Sequence, residues 1–274
     1  MKRQGRSRRR VSVPDSVQPV LRRIGQVASR SGASAYAVGG CVRDWLLGIR
    51  DTADLDVTIE GKGLEIARDI AGTLGGTITV HEQFRTATVV VPRAHPASAP
   101  GTSIRIDVAT CRRETYARPG AYPQVSAGAL QDDLFRRDFT INAMGVALAP
   151  ARFGGLVDSF GGAADVRRRI LRMLHAQSFV DDPSRILRGV RFLARFGLRW
   201  DRRTEQAARR ALAAGALGWL NAGRLRKELD RMLAEPDPWE CLHQLAALLG
   251  SIGRRSRGRP APGVGRGHAR SSSR

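Results

Sequence analysis

Apolar positions change their spacing along this chain. Val17, Val20, Leu21, Ile24, Val27 and Ala28 recur every three or four residues, which predicts a helix over Val17 to Arg30. Tyr36 to Val38 reads as a short strand, and Gly39-Gly40 as a turn into a helix from Val42 to Leu47. Leu55 to Ile59, Thr86 to Val91 and Ile104 to Ala109 alternate or run apolar in β-branched residues, as strands do, while Gly61 to Leu74 has helical spacing. Near residue 165 the strand-like runs stop. Pro183 to Phe196, Thr204 to Ala214, Ala222 to Ala234 and Pro238 to Leu249 read as helices separated by Gly, Asn or Pro. Pro183 and Pro238 suit a first helical position, behind Asp182 and Asp237 as caps. The pattern predicts an α+β unit with a small sheet over residues 17–165 and an all-helical unit over 166–250.

Composition adds two tails and a partner class. Residues 1–16 and 251–274 are rich in Arg, Ser, Gly and Pro without periodicity, so both are expected to be disordered. The formal charge is +21, but six basic residues in 1–10 and seven in 254–274 stand without any acid, which leaves +8 for the rest. That remainder favours a polyanion such as nucleic acid. No apolar run reaches the roughly 18 residues of a membrane span, and nothing resembles a signal peptide, so a cytoplasmic protein is expected. Cys41, Cys111 and Cys241 are widely spaced and read as small buried hydrophobes rather than as a zinc site or a disulfide framework.

Candidate chemistry begins at Asp54 and Asp56. Leu55, Val57 and Ile59 form the apolar face of their strand, so both carboxylates share the other face. Two like charges held side by side call for a cation, and oxygen donors suit Mg²⁺. The same parity in Ile104 to Ala109 puts Asp107 opposite Ile104, Ile106 and Val108, as a candidate third ligand. Three carboxylates converging from two strands would serve two-metal phosphoryl transfer. Gly39 and Gly40, opening the helix of Arg43, offer backbone amides and a helix start to a phosphate. The bland alternatives are a solvated Asp-Leu-Asp edge and an Arg43 paired with Asp44.

Val38-Gly-Gly-Cys-Val-Arg-Asp-Trp-Leu-Leu-Gly48, followed by Asp54-Leu-Asp56, resembles the signature of class II tRNA nucleotidyltransferases and bacterial poly(A) polymerases. Arg136-Arg-Asp-Phe-Thr-Ile-Asn-Ala-Met144 resembles the family's next block, and Asp181-Asp-Pro-Ser-Arg-Ile-Leu-Arg-Gly-Val-Arg-Phe192 the helical block after it. Order and spacing agree from about residue 17 to 250. The resemblance implies a polymerase-beta-like head domain followed by an all-helical neck. It implies that Asp54 and Asp56 bind the catalytic Mg²⁺, that Gly39, Gly40 and Arg43 contact the triphosphate, and that Arg137 and Asp138, with Asn142 in the same block, lie near the ribose. A buried Arg-Asp ion pair fixing a strand-to-helix junction is the alternative for that block. Asp182 and Arg185 would act as a protein template on the Watson-Crick edge of CTP or ATP, although Asp181 stands where the family usually has Glu, and Asp182 also suits a helix cap. Arg185, Arg188, Arg191 and Arg195 make a basic stripe that would meet triphosphate or the RNA end.

Residues 112–125 read as a Pro- and Gly-containing loop, where the family has a mobile element, and Asp158 reads as structural. Members normally continue into further helical domains that grip the tRNA, whereas this chain passes at Gly250 into an Arg-Gly-Pro-Ser tail, so a partner supplying that part and weak, salt-sensitive RNA binding are among the expectations. The expected function is addition of C or A to a tRNA 3′ end from CTP and ATP. The alternatives are a poly(A) polymerase and a non-catalytic RNA-binding protein.

Overall fold

A computed structural model describes residues 9–51, 54–92 and 103–256. In chain order the elements are α1 (Gln18–Arg30), β1 (Ala35–Val38), α2 (Gly40–Leu46), β2 (Asp54–Ile59), α3 (Gly63–Leu74), β3 (Thr77–His81), β4 (Thr86–Pro92) and β5 (Ser103–Thr110). A hairpin of β6 (Arg112–Thr115) and β7 (Gln124–Ala127) follows, then α4 (Leu130–Phe135), β8 (Gly145–Ala147), β9 (Leu156–Val157), α5 (Gly162–Arg168) and β10 (Ile170–Leu171). The remainder is α6 (Ser178–Asp181), α7 (Ser184–Phe196), β11 (Arg199–Trp200), α8 (Arg202–Ala213), α9 (Ala222–Leu233) and α10 (Pro238–Ser256).

Among the described residues the main sheet has seven strands in the order β3-β4-β5-β2-β1-β8-β9. It is mixed: β2 and β5 run parallel, with Asp56 level with Asp107, and the other neighbours run antiparallel. The parity argument holds on β2, where Leu55, Val57 and Ile59 are buried. On the opposite face Thr58 is buried as well, with its hydroxyl 3.3 Å from the Cys111 sulfur. α1 and α3 cover the core face; a Cβ at Gly25 of α1 would run into the Leu148 backbone, so Gly25→Ala is expected to destabilise the head.

The helical region packs on this sheet through one continuous core that includes Leu21, Ile106 and Phe139 as well as Val190, Ala208 and Leu248. Phe139 is its hinge: its ring lies 6.0 Å from Phe192, 6.1 Å from Trp200 and 6.4 Å from Phe179. All four rings lie where residues 139–200 fold onto each other, so head and neck share buried aromatic surface. The helical region also carries one parallel ladder, β10 with β11, and α5 runs through residue 165, where the pattern placed the change of unit.

Several expectations need correcting. Residues 9–16 are ordered: the Val11 amide donates to the Gly154 carbonyl at 2.9 Å, Arg9 accepts from Leu156, and Val11 and Val13 are buried. Residues 9–11 pair with residues 154–156 beside β9, and the buried Val11 and Val13 anchor the segment despite the basic composition around it. Residues 1–8 and 257–274, also expected to be disordered, lie outside the described residues. α10 runs to Ser256, past the expected start of the C-terminal tail. Residues 112–125 are not a plain loop but most of the β6–β7 hairpin. β7 is exposed throughout, so no burial pattern betrays it in sequence.

Candidate active site

A cleft of about 470 Å³ opens between the sheet and the helical region. Its floor carries Gly39, Gly40 and Asp56, and its walls Arg43, Arg137, Asp138, Asn142, Asp182, Arg185 and Arg188. The three sequence blocks, far apart along the chain, line one cavity.

The turn into α2 has φ +76° at Gly39, and a Cβ there would sit 2.6 Å from Arg137 Nη1 and 3.4 Å from Asp56 Oδ2. Only glycine takes that backbone without strain and leaves room for both side chains. The first-turn amides that every helix start leaves unpaired are therefore placed beside Arg137 and Asp56. Gly39→Ala is expected to lower nucleotide affinity more than tenfold, an effect of about 1.4 kcal/mol or more, read as Kd by titration with ATP.

Asp54 and Asp56 project from the face of β2 opposite the core. Asp56 still opens to the cleft, yet the protein around it strips away solvent and pushes its carboxyl above the ordinary range; Arg137 opposes that, and Asp107 and Asp54 add to it. The three carboxylates do not converge as the sequence suggested. Asp107 is level with Asp56, but it accepts from Thr88 Oγ1 at 2.7 Å and from Arg105 Nη2 at 3.1 Å. Arg105 lies two residues earlier on the same strand face and neutralises it. Among the described residues no group of three or more His, Cys, Asp or Glu is close enough to hold a metal. The donor set that remains, two neighbouring carboxylates of which one is crowded by like charge, has the hard-oxygen chemistry that fits Mg²⁺.

The Arg136–Met144 block forms a different ion pair from the Arg-Asp pair that the sequence offered as an alternative. Arg137 donates to Asp133 at 3.1 Å, whereas Asp138 pairs with Arg188 of α7 at 2.7 Å. Asp138 also accepts from the Phe139 amide and from Asn142 Nδ2, and Asn142 Oδ1 accepts from Arg43 Nη1 at 2.7 Å. Burial pushes the Asp138 carboxyl up, but Arg188, Asn142 and the amide outweigh it and hold it below the ordinary range. Arg43 pairs with Asp44 as well, at 2.8 Å, so the bland pairing and a place in the cleft both hold for it.

The basic stripe on α7 divides. Arg185 is buried, not a surface residue: its guanidinium donates to Ser178 Oγ at 2.8 Å and to the Arg136 carbonyl at 2.7 Å. Arg188 reaches the cleft, but Arg191 does not; it donates to Glu235 at 3.0 Å, and Arg195 lies 3.6 Å from the same carboxylate. Steps of three fall about 60° short of a turn, so Arg191 lies about 120° round the helix from Arg185. Asp182 Oδ1 accepts from Ser184 N and Oγ, as the capping alternative requires, and also from Arg224 Nη2 at 2.6 Å. Asp158 caps α5 through the Gly162 and Ala163 amides, and all three cysteines are buried, with the thiols of Cys41 and Cys111 pushed up to about 12 by burial.

Sequence reasoning missed Glu114, Tyr116 and Pro123 of the hairpin, as well as Arg136 and Phe192, all of which line the cleft. A second cleft, of about 390 Å³, shares Asp56, Arg136 and Arg137 with the first and continues along β4 and β5 past Thr88, Arg105 and Asp107.

Residues 35–172 match the family described as the Poly A polymerase head domain. An A-adding tRNA nucleotidyltransferase of Halalkalibacterium halodurans is 40% identical over 239 residues, which cover 84% of this chain and 54% of that protein. The chain belongs to the class II tRNA nucleotidyltransferase and poly(A) polymerase head-domain family. A CC-adding tRNA nucleotidyltransferase of Deinococcus radiodurans is 36% identical over 208 residues, 76% of this chain and 52% of that one. Among solved structures, a CCA-adding enzyme in an apo form superimposes with a TM-score of 0.79 at 37% identity, over 88% of this chain and 54% of that one. The Thermotoga maritima CCA-adding enzyme complexed with tRNA(CCA) does so with a TM-score of 0.74 at 36% identity, over 89% of this chain and 54% of that one. The chain thus spans about half the length of these members of the family.

Proposed function

We propose that this chain is the nucleotide-transferring part of a tRNA 3′-end nucleotidyltransferase, with ATP as its favoured nucleotide and the terminal A as its product. The observation that carries the reading is one cleft lined by Asp56, Gly39, Gly40 and Arg137 on the sheet side and by Asp182 and Arg185 on the helical side. The first set suits a triphosphate next to carboxylates, and the second suits a base edge. A over C is favoured because three A-adding relatives are 38–40% identical to this chain, against 31–36% for two CC-adding ones.

In this reading Asp54 and Asp56 would hold Mg²⁺, which when bound supplies neutralisation of the triphosphate and a more acidic 3′-hydroxyl. The Gly39–Gly40 turn and Arg137 hold the phosphates. Arg43, through Asn142, and Arg188 both fix Asp138, which faces the ribose. The RNA 3′ end comes along the second cleft, so that its hydroxyl oxygen attacks the α-phosphorus, the bond to the bridging oxygen breaks, and pyrophosphate leaves. Arg185 donates to the ring nitrogen of the base while Asp182 accepts from its exocyclic amine. Arg191 plays no part in nucleotide binding in this scheme, and Asp107 lies on the RNA side. Among the described residues no helix is long and apolar enough to cross a membrane. The cytoplasm is the compartment that supplies tRNA and ATP together.

The test offers labelled ATP or CTP, with Mg²⁺, to tRNAs ending before CCA, after C and after CC, using this chain and Asp54→Ala. AMP added once, to the CC end only, and lost in Asp54→Ala is the expected result. Added C would instead name a CC- or CCA-adding enzyme, and long A tails on any RNA a poly(A) polymerase. Retained RNA binding with no transfer would overturn the catalytic reading.

A further inference from the structure

Arg224, on the first turn of α9, lies outside all three sequence blocks, yet it joins three parts of the molecule. Its Nη2 donates to Asp182 Oδ1 at 2.6 Å, its Nη1 donates to the Gly120 carbonyl at 3.0 Å, and its guanidinium lies over the Tyr122 ring at 5.4 Å. Gly120 and Tyr122 belong to the tip of the β6–β7 hairpin. The tip has further ties to the helical region: the Gly120 amide donates to the Val180 carbonyl at 3.2 Å, and Asn221 Nδ2 donates to the Tyr122 hydroxyl at 3.1 Å. Gly120 has φ +68°, and a Cβ there would stand 2.7 Å from the Trp219 carbonyl oxygen. The hairpin tip is therefore seated on the chain two residues before Asp182 and held there by Arg224.

The bonds on Asp182 show what this does. Ser184 N, Ser184 Oγ and Arg224 Nη2 all donate to Oδ1, and among the described residues Oδ2 takes no donor. A carboxylate with one oxygen saturated from three directions cannot rotate freely, and its second oxygen is left as the acceptor. The arginine partner, whose planar fork reaches the carboxylate and the hairpin carbonyl together, is what a lysine would not reproduce.

We propose that Arg224 is a positioning residue for base selection: it latches the hairpin tip to the helical region and thereby sets Asp182 so that Oδ2 accepts from the exocyclic amine of the incoming base. The inference rests on the reading of Asp182 as a base-recognising group. In the latched arrangement Asp182 has one setting, which suits an enzyme that takes one nucleotide rather than two in succession. Opening the latch frees Asp182 and costs selectivity between nucleotides, not phosphate binding.

The experiment measures Kd for ATP and for CTP with Mg²⁺, by titration calorimetry, on the whole chain and on Arg224→Ala, Arg224→Lys, Tyr122→Ala and Asp182→Asn. Tyr122 is largely exposed, so its replacement tests the latch from the hairpin side without threatening the fold. The expected result is an ATP-over-CTP preference that falls roughly tenfold in Arg224→Ala, the weight of one charge-assisted hydrogen bond, and by less in Arg224→Lys and Tyr122→Ala. Affinity for inorganic triphosphate should stay unchanged throughout. A preference altered in Asp182→Asn but untouched in Arg224→Ala and Tyr122→Ala overturns the latch and leaves the base-reading role standing. A preference untouched in Asp182→Asn as well overturns both. Should Arg224→Ala not fold, Tyr122→Ala and Arg224→Lys decide between the same outcomes.

Discussion

Asp56→Asn is expected to abolish nucleotide transfer, by about three orders of magnitude in kcat, while leaving the folded protein at least as stable as before. The first half follows from the proposed metal site: losing one of two carboxylates removes several kcal/mol of charge stabilisation. The second half follows from the position of the carboxylate. Desolvation, Asp107 and Asp54 together outweigh Arg137 and raise its pKa on folding. A group raised on folding contributes stability that is complete below its unfolded pKa of about 4 and is lost as pH rises through the folded value. Ionised Asp56 therefore costs stability near neutral pH when no cation is bound. The neutral amide removes that cost, so the Tm of Asp56→Asn in a chelator should equal or exceed that of the native chain at about pH 7, and the difference should shrink towards about pH 4. A large fall in Tm at neutral pH would show that Asp56 is a structural acid.

Asp138→Ala is expected to be the most destabilising single change in the cleft. Asp138 is buried and takes four donors: the Phe139 amide, Asn142 Nδ2, and Arg188 Nε and Nη2. Its loss leaves the half-buried Arg188 guanidinium without its nearest charge and frees the Asn142 amide that positions Arg43. Breaking such a pair from one side costs about 3–5 kcal/mol, or on the order of 10 °C in Tm for a chain of this size. The double variant Asp138→Leu with Arg188→Met should cost far less than the sum of the two single changes, which a cycle of denaturant melts would show. The pH dependence runs opposite to that of Asp56. Asp138 is held below the ordinary carboxylate range, so its contribution is complete above about pH 4 and is lost as pH falls through its lower folded value. The acid limb of the stability curve should flatten when Asp138 is replaced. If Asp138→Ala and Arg188→Ala prove additive, the ion pair is not what joins head to neck.

These contrasts show what could be read in the chain before it was folded. Alternation at Leu55, Val57 and Ile59 was enough to put Asp54 and Asp56 on the face away from the core, and three- and four-residue spacing was enough to place α1, α3 and α7 to α9, and the start of α10, within a few residues. Local periodicity is a property of the backbone, and sequence carries it directly. The three blocks likewise named most of the residues that line the cleft, because each block spans only one or two short elements that follow one another in the chain.

What sequence could not supply was who pairs with whom. Arg137 has Asp138 beside it in the chain, yet it pairs with Asp133, while Asp138 reaches across 50 residues to Arg188. Asp107 was offered to a metal and is held by Arg105; Arg191 was offered to a nucleotide and is held by Glu235. The exposed hairpin strand gave no burial signal, and Arg224, 42 residues from Asp182, stood in no motif. Charge pairing and exposed edges depend on which surfaces the core brings together, and that was decided only when Phe139, Phe192 and Trp200 closed the helical region onto the sheet. Periodicity by itself determined the elements and the faces of their side chains; the packing of those elements determined the partners, because a long polar side chain finds its counter-charge in space and not along the chain.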